Sequence, residues 1–290
     1  MQFHLLHTNS LSTIPSASGI EIVGNDIYVM GDDSPWLFRL DKKFEVKEKI
    51  PIGNVSAAVK GKTAKEQKPD LEAMIVYGNE LLLLGSGSRS PQRDVLLSVD
   101  LISKKVCSYP LTAFYDALCA AAGFSRRDLN IEAAALIGER LFLFNRGKNR
   151  IAILDVQEFL THVQHKGPLP EIEIVPVTLP LISGMQAGFS GACSTPDGSH
   201  LVFCASAENT SNWIDDGEIL GSFIGAFSPA EIRDSFSPAC VRITGENAET
   251  LSVKVESVAV QSASARKLSL LLVTDNDRSG SELIEAGLLL

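Results

Sequence analysis

The chain has 290 residues, 45% hydrophobic and 21% charged, with a formal net charge of −9. That is enough apolar side chain for a large core, and the length reads as one domain spanning residues 1–290. The acidic balance, without a basic run, argues against nucleic acid or an anionic membrane surface as partner, and no stretch approaches the ~18 apolar residues of a membrane span.

The five cysteines, Cys107, Cys119, Cys193, Cys204 and Cys240, are odd in number and lack C-x-x-C spacing. Neither a disulfide framework nor a zinc site is expected. Cys204 sits in an apolar run and reads as a small buried hydrophobe. Residues 1–12 carry no positive n-region and no long apolar stretch, so a signal peptide is not expected and the expected location is the cytoplasm.

One pattern recurs along the chain. A short apolar strand opening near a glutamate turns at a Gly-polar pair into a strongly apolar second strand, which ends in a polar loop. The first copy has Gly19-Ile20-Glu21-Ile22-Val23, the turn Gly24-Asn25, the strand 27–30 and the loop Gly31-Asp32-Asp33. The second has Asp70-Leu71-Glu72-Ala73, Gly78-Asn79, 81–84 and Gly85-Ser86-Gly87. The third has Asn130-Ile131-Glu132-Ala133, Gly138-Glu139, 141–144 and Asn145-Arg146-Gly147. The fourth, with Phe189-Ser190-Gly191-Ala192-Cys193, replaces the glutamate, and continues through Pro196-Asp197-Gly198 and 201–204 to Ala207-Glu208-Asn209. The fifth has Val255-Glu256-Ser257-Val258, then 270–273 and Thr274-Asp275-Asn276-Asp277.

Further short runs rich in Val, Ile, Leu and Phe follow each copy, separated by Gly, Pro, Asn and Asp. Four strands per repeat, at a period of roughly 50 to 60 residues, is the make-up of a propeller blade. The expected fold is therefore all-β, a β-propeller of five four-stranded blades. The fifth copy lacks an outermost strand, and Phe3-His4-Leu5-Leu6 can supply it, closing the ring and removing open sheet edges. Residues 113–128, 155–165 (with Asp155 as N-cap) and 228–236 (with a capping box at Ser228-Pro229-Ala230-Glu231) are predicted helices inserted in connections.

Innermost strands line a propeller's channel. Glu21, Glu72, Glu132 and Glu256, read as equivalent, would converge on one axis. Four converging carboxylates repel unless neutralised by a cation such as calcium, by shared protons, or by hydrogen bonds that lock the blades together. Ser190 in the fourth copy would leave a gap there for water or substrate. The loops after the second strands bring Asp32 and Asp275 as candidate bases. They also bring Arg89, Arg93, Asn145, Arg146, Glu208, Asn209, Asn276 and Arg278 as candidate binding groups for an anion; ordinary turn chemistry accounts for the same residue types. Trp213, Asp215, Asp216 and Glu218 lie in a long loop, a candidate lid. None of the five histidines falls in a repeated loop, and there is no G-x-S-x-G, H-E-x-x-H or P-loop.

The segments Asp70-Leu71-Glu72-Ala73, Asn130-Ile131-Glu132-Ala133, Val255-Glu256-Ser257-Val258 and Val273-Thr274-Asp275-Asn276-Asp277 resemble the esterase-like phytase and SdiA-regulated group of propellers. The resemblance implies calcium near the channel, held by the glutamates, and ester or phosphoester hydrolysis. The chain departs from the group in having Ile22, Ala73, Ala133 and Ser257 where glycine commonly follows the glutamate, and in lacking a visible export signal. Two functions follow: a metal-dependent hydrolase acting on a small anionic molecule or ester, or a non-catalytic module binding a ligand or partner protein on its loop face.

Overall fold

The computed structural model describes residues 1–59, 61–209, 217–245, 249, 251–275 and 280–290. Its strands form five four-stranded antiparallel sheets, the blades of a β-propeller. After β1 (Gln2–Leu11), blade I comprises β2 (Ala17–Val23), β3 (Asp26–Gly31), β4 (Trp36–Leu40) and β5 (Val46–Pro51). Blade II comprises β6 (Leu71–Tyr77), β7 (Glu80–Gly85), β8 (Val95–Asp100) and β9 (Val106–Pro110). Helix α1 (Thr112–Ala122) leads to blade III: β10 (Ile131–Ile137), β11 (Arg140–Asn145), β12 (Arg150–Asp155), α2 (Val156–His165) and β13 (Glu173–Pro176). A small hairpin, β14 (Leu181–Ile182) and β15 (Met185–Gln186), precedes blade IV: β16 (Gly188–Ser194), β17 (Leu201–Asn209), β18 (Glu218–Phe227) and β19 (Cys240–Arg242). Blade V comprises β20 (Lys254–Ala263), β21 (Lys267–Asp275) and β22 (Ser281–Leu289), completed by β1.

The closure expected from the sequence is present. β1 pairs antiparallel with β22 from Gln2 opposite Leu289 to Leu11 opposite Ser281, with one irregularity between Leu5 and His7. Strand propensity and tight Gly turns set up each hairpin locally. Gly24, Gly78 and Gly138 all take φ near 60°, which glycine adopts without steric cost.

The core is divided among the blade junctions. Among the described residues, each of five apolar clusters draws its side chains from two neighbouring blades, so the ring is held by its junctions. At the III–IV junction Phe144, Phe189, Phe203, Phe227 and Phe236 form a run of tilted and edge-on ring contacts. Such pairs add roughly 0.5–1.5 kcal/mol each beyond burial.

The first and third helical insertions are shorter than the sequence suggests, and the second matches it. Helix α1 stops at Ala122 because Gly123 takes a left-handed cap, and a 3-10 turn covers Arg126–Asp128. The α1 side chains Phe114, Tyr115 and Leu118 seal the II–III junction, and Tyr115 donates its hydroxyl to the Gly85 carbonyl at 2.5 Å. Asp155 caps α2 as expected, accepting from the Glu158 N–H at 2.9 Å. The third insertion is only a 3-10 turn, Pro229–Glu231, although its capping box forms; Phe236 beyond it is drawn into the core instead.

Candidate functional site at the channel mouth

Each innermost strand breaks its pairing register near its start, and β20 breaks it a second time, between Val260 and Ser262. The breaks near the start fall between Ala17 and Gly19, Leu71 and Ala73, Ile131 and Ala133, Phe189 and Gly191, and Val255 and Ser257. A β-bulge leaves one residue unpaired and re-aims its side chain. The structurally equivalent residues are therefore Ser18, Glu72, Glu132, Ser190 and Glu256. This corrects the sequence reading of blade I: Glu21 lies three residues past the bulge and lines a separate cavity at the other end of the innermost strands. The expected ring of four glutamates does not form; three carboxyls and two hydroxyls occupy it.

The two serines are the blade staples. Ser18 donates to the Leu71 carbonyl at 2.6 Å, and Ser190 to the Val255 carbonyl at 2.6 Å, each reaching the next blade. Ser190 leaves no gap for water or substrate; it is buried and joins a hydroxyl ladder through Ser206 to Ser222.

The three glutamates belong to a cavity of about 360 Å³ in which Ala17 is the sole apolar lining residue among those described. One wall carries Asp32, Lys68, Asp70 and Arg93. Lys68 Nζ contacts Asp32 and lies 2.7 Å from Asp70, and Arg93 Nη1 lies 2.5 Å from Asp70. Ser86 also donates to Asp70, at 2.5 Å. Asp70 takes φ 54°, a left-handed conformation an aspartate tolerates better than most residues, and these partners over-determine it.

Around Glu132 and Glu256 the charges alternate, with Arg146 and Glu208 standing behind the lining rather than in it. Asn130 Nδ2 donates to Glu132 at 2.6 Å, and Arg146 approaches Glu132 at 3.9 Å and Glu208 at 3.1 Å. Lys254 Nζ lies 3.1 Å from Glu208 and 3.0 Å from Glu256. Arg146 reaches blade IV by crossing Gly188, where a Cβ would meet its Cγ at 2.5 Å. Gly188 holds the place taken by Asp70, Asn130 and Lys254 in other blades, and its missing side chain makes room for the guanidinium.

Burial and crowding raise the carboxyls unevenly. Burial pushes Glu256 up to about 8, partly offset by Lys254. Burial also raises Glu132 against the pull of Arg146, and Asp32 to about 6 against the pull of Lys68. Glu208 ends below its ordinary value because Lys254 and Arg146 outweigh burial. Glu72 differs from all of them. Burial, then Asp70, Glu132, Asp32 and Glu256, drive it well above the ordinary range, and among the described residues it has no ion-pair or hydrogen-bond partner. Its carboxyl oxygen lies within 4.8 Å of oxygens of Asp32 and Asp70.

Of the other sequence candidates, Asp275 lines the cavity from the end of β21. Arg89 and Asn209 are exposed and line no part of it. Asn145 is structural: its carbonyl accepts from the Asn130 N–H at 2.7 Å and its amide donates to the Asp128 carbonyl at 3.0 Å. Asn276, Arg278, Trp213, Asp215 and Asp216 lie outside the described residues, and Glu218 is exposed at the start of β18. Sequence reasoning passed over Lys254, Lys68 and Lys62. Lys254 stands two residues before the bulge, like Asp70 and Asn130, and alignment on the bulge would have found it. Lys62 and Lys68 come from the polar loop before β6, which has no counterpart in other repeats. The cavity carboxyls fit calcium in part: Asp32, Asp70 and Glu72 converge without Glu132 or Glu256, but the Lys68 ammonium already bridges two of them, and calcium takes six to eight oxygens.

No helix among the described residues is long and apolar enough to cross a membrane. Among solved structures, Myxococcus xanthus glutaminyl cyclase is similar over 99% of this chain and 97% of its own, with a TM-score of 0.57 at 10% identity. Virginiamycin B lyase from Staphylococcus aureus matches over 99% of this chain and 100% of its own, with a TM-score of 0.46 at 9% identity. The Kuenenia stuttgartiensis hydrazine synthase structure matches over 90% and 77%, with a TM-score of 0.46 at 10% identity. Likeness at this identity extends to the fold alone. No curated protein matches the chain in sequence. A family model described as a family of unknown function (DUF6929) matches residues 13–288, and the chain belongs to that family.

Proposed function

We propose that the channel mouth binds a small, strongly polar molecule bearing a phosphate or carboxylate, and hydrolyses an ester or phosphoester bond in it. The observation that carries this reading is Glu72: a carboxyl facing the cavity without a cation of its own, beside the cation-paired Asp32. Their environments push them apart, which is how an acid and a base are assigned to neighbouring carboxyls. Asp32, at about 6, takes a proton from water as the hydroxyl adds to the acyl carbon or phosphorus, and Glu72 gives its proton to the leaving oxygen as the ester bond breaks. Lys65 in the cavity lining supplies the attraction for the anion, beside Lys62 and Lys68, which are already paired with Asp33 and with Asp32 and Asp70. The lining has no aromatic side chain among the described residues.

The test is a screen with p-nitrophenyl acetate and p-nitrophenyl phosphate, with calorimetry of inorganic phosphate binding alongside. Turnover should rise with pH as Asp32 ionises. Glu72→Gln, which keeps a hydrogen-bond donor but no transferable proton, should cut kcat at least ~100-fold with KM little changed. Phosphate binding without turnover of either substrate would leave a non-catalytic ligand-binding propeller. Neither binding nor turnover would sink the reading.

A calcium-dependent form is the second reading, favoured by the convergence of Asp32, Asp70 and Glu72. When bound, calcium would polarise the scissile group's oxygen. Lys68→Met then raises calcium-induced thermal stabilisation, because the ammonium no longer competes. A midpoint indifferent to calcium in both proteins would count against it.

A further inference from the structure

At the other end of the innermost strands lies a second cavity of about 270 Å³. Its lining comes from the ends of all five innermost strands, and most of the side chains there are apolar, Ile22, Ile75, Ala135 and Ala259 among them. Ser194 and Cys193 add small polar groups, and Glu21 is the one carboxyl among the described lining residues. Among the described residues it has no side-chain hydrogen bond and no cation beside it, and Cys193 is the one other titratable side chain in the lining. Tyr28 stands across from Glu21 in β3, and the residues supplied by β6, β10 and β20 are apolar. Burial pushes Glu21 up to about 8, offset slightly by the Ile22 backbone N–H, and burial with Glu21's own proximity keeps the Cys193 thiol neutral.

A lone carboxyl in an apolar cavity discriminates among ligands. One carboxylate supplies too few oxygens for a hard divalent cation. An anion would meet the carboxyl and no cation among the described lining residues. A neutral apolar molecule would fill the volume but leave the carboxyl unsatisfied. A primary ammonium on a short alkyl chain satisfies both features: the nitrogen pairs with Glu21, and the chain lies on the apolar wall.

We propose that this second mouth is a binding site for a small alkylammonium ion, with Glu21 as its counter-ion. The site is independent of the channel-mouth cavity, since the two share no lining residue. Near neutral pH the free protein carries Glu21 largely protonated, and the bound ion pair needs it ionised. Affinity therefore rises with pH by about tenfold per unit below the titration of Glu21 and levels above it.

The experiment is calorimetry of n-hexylammonium chloride and of neutral 1-hexanol, from pH 6 to pH 9, in buffers of different ionisation enthalpy. The expected result is hexylammonium binding that releases close to one proton near pH 7 and strengthens about tenfold from pH 6 to 7, with weaker, pH-independent hexanol binding. Glu21→Gln, which has the shape of the protonated acid and so should fold, removes the preference for the ammonium and the proton release but keeps hexanol binding. Glu72→Gln leaves both unchanged. No hexylammonium binding, affinity independent of pH, or affinity unaltered by Glu21→Gln would each overturn the proposal.

Discussion

Lys254 extends its ammonium between Glu208 and Glu256, and both carboxyls are buried. Truncating one partner of such a group leaves uncompensated charge in a poorly solvated site, at a cost of about 3–5 kcal/mol. Lys254→Met should lose this much in denaturant unfolding at pH 8. It should lose less at pH 5, where Glu256 is protonated whether or not the lysine is there. An equal loss at both values would mean that the lysine acts through packing alone. Glu21 and Glu256 point to a second pH effect. Each holds its proton up to about 8 in the folded chain, above the value of a free glutamate. The stabilisation from a raised group is complete below the unfolded-state value and declines as pH rises toward the folded one. Stability should therefore fall between pH 5 and 8 on their account, by up to a few kcal/mol. Glu21→Gln should flatten that fall and gain stability at pH 8. A variant with the wild-type slope would contradict the raised titration of this carboxyl.

The bulge is the element that decides the chemistry, because it sets which side chain each blade presents at the channel mouth. Where it presents serine, the hydroxyl crosses to the next blade's backbone; where it presents glutamate, the side chain joins the charged cavity. Ser190→Ala should leave the Val255 carbonyl with only its longer bond from Ser206, at 3.0 Å, for a loss of about 1–2 kcal/mol by thermal unfolding. The repeat and its strands were legible in the sequence, since alternating apolar runs and Gly turns are local signals. The register of the first blade was not. Its glutamate, Glu21, looked like its counterparts in other repeats, while the equivalent residue was a serine. The side chain in a bulge is free to vary, so its identity does not mark the position. Crowding at the neighbouring backbone does: the next residue is Gly19, Ala73, Ala133, Gly191 or Ser257, all small. At Gly191 a Cβ would sit 2.6 Å from the Ser257 Cα.

At the scale of the whole molecule, the ring stands on junctions between blades and on closure by β1. Removing residues 2–11 would expose the edge of β22 along nearly its whole length, and unpaired edges associate. The shortened chain should unfold at lower temperature and form oligomers on size exclusion; a monomer with an unchanged midpoint would show that closure contributes nothing. Closure was readable from the missing fifth outer strand, because a propeller needs the same strand count in every blade. The candidate site was only half readable. Glu72, Glu132, Glu256, Asp32, Arg93, Arg146 and Glu208 were visible as repeat-linked charges. Lys68 enters from a loop that belongs to no repeat, and the separation of Glu21 from the rest depends on three-dimensional register.

The proposed chemistry depends most heavily on Glu72 retaining its proton where an ordinary glutamate has lost it. The direct measurement is a titration of the glutamate side-chain carboxyl carbons by nuclear magnetic resonance, with Glu72→Gln to assign the signal. The account predicts that the Glu72 signal stays at its protonated position well after the exposed glutamates have ionised, and moves when phosphate is added. A Glu72 signal that titrates together with the exposed glutamates would contradict it, and the channel mouth would then lack the acid on which the proposed reaction depends.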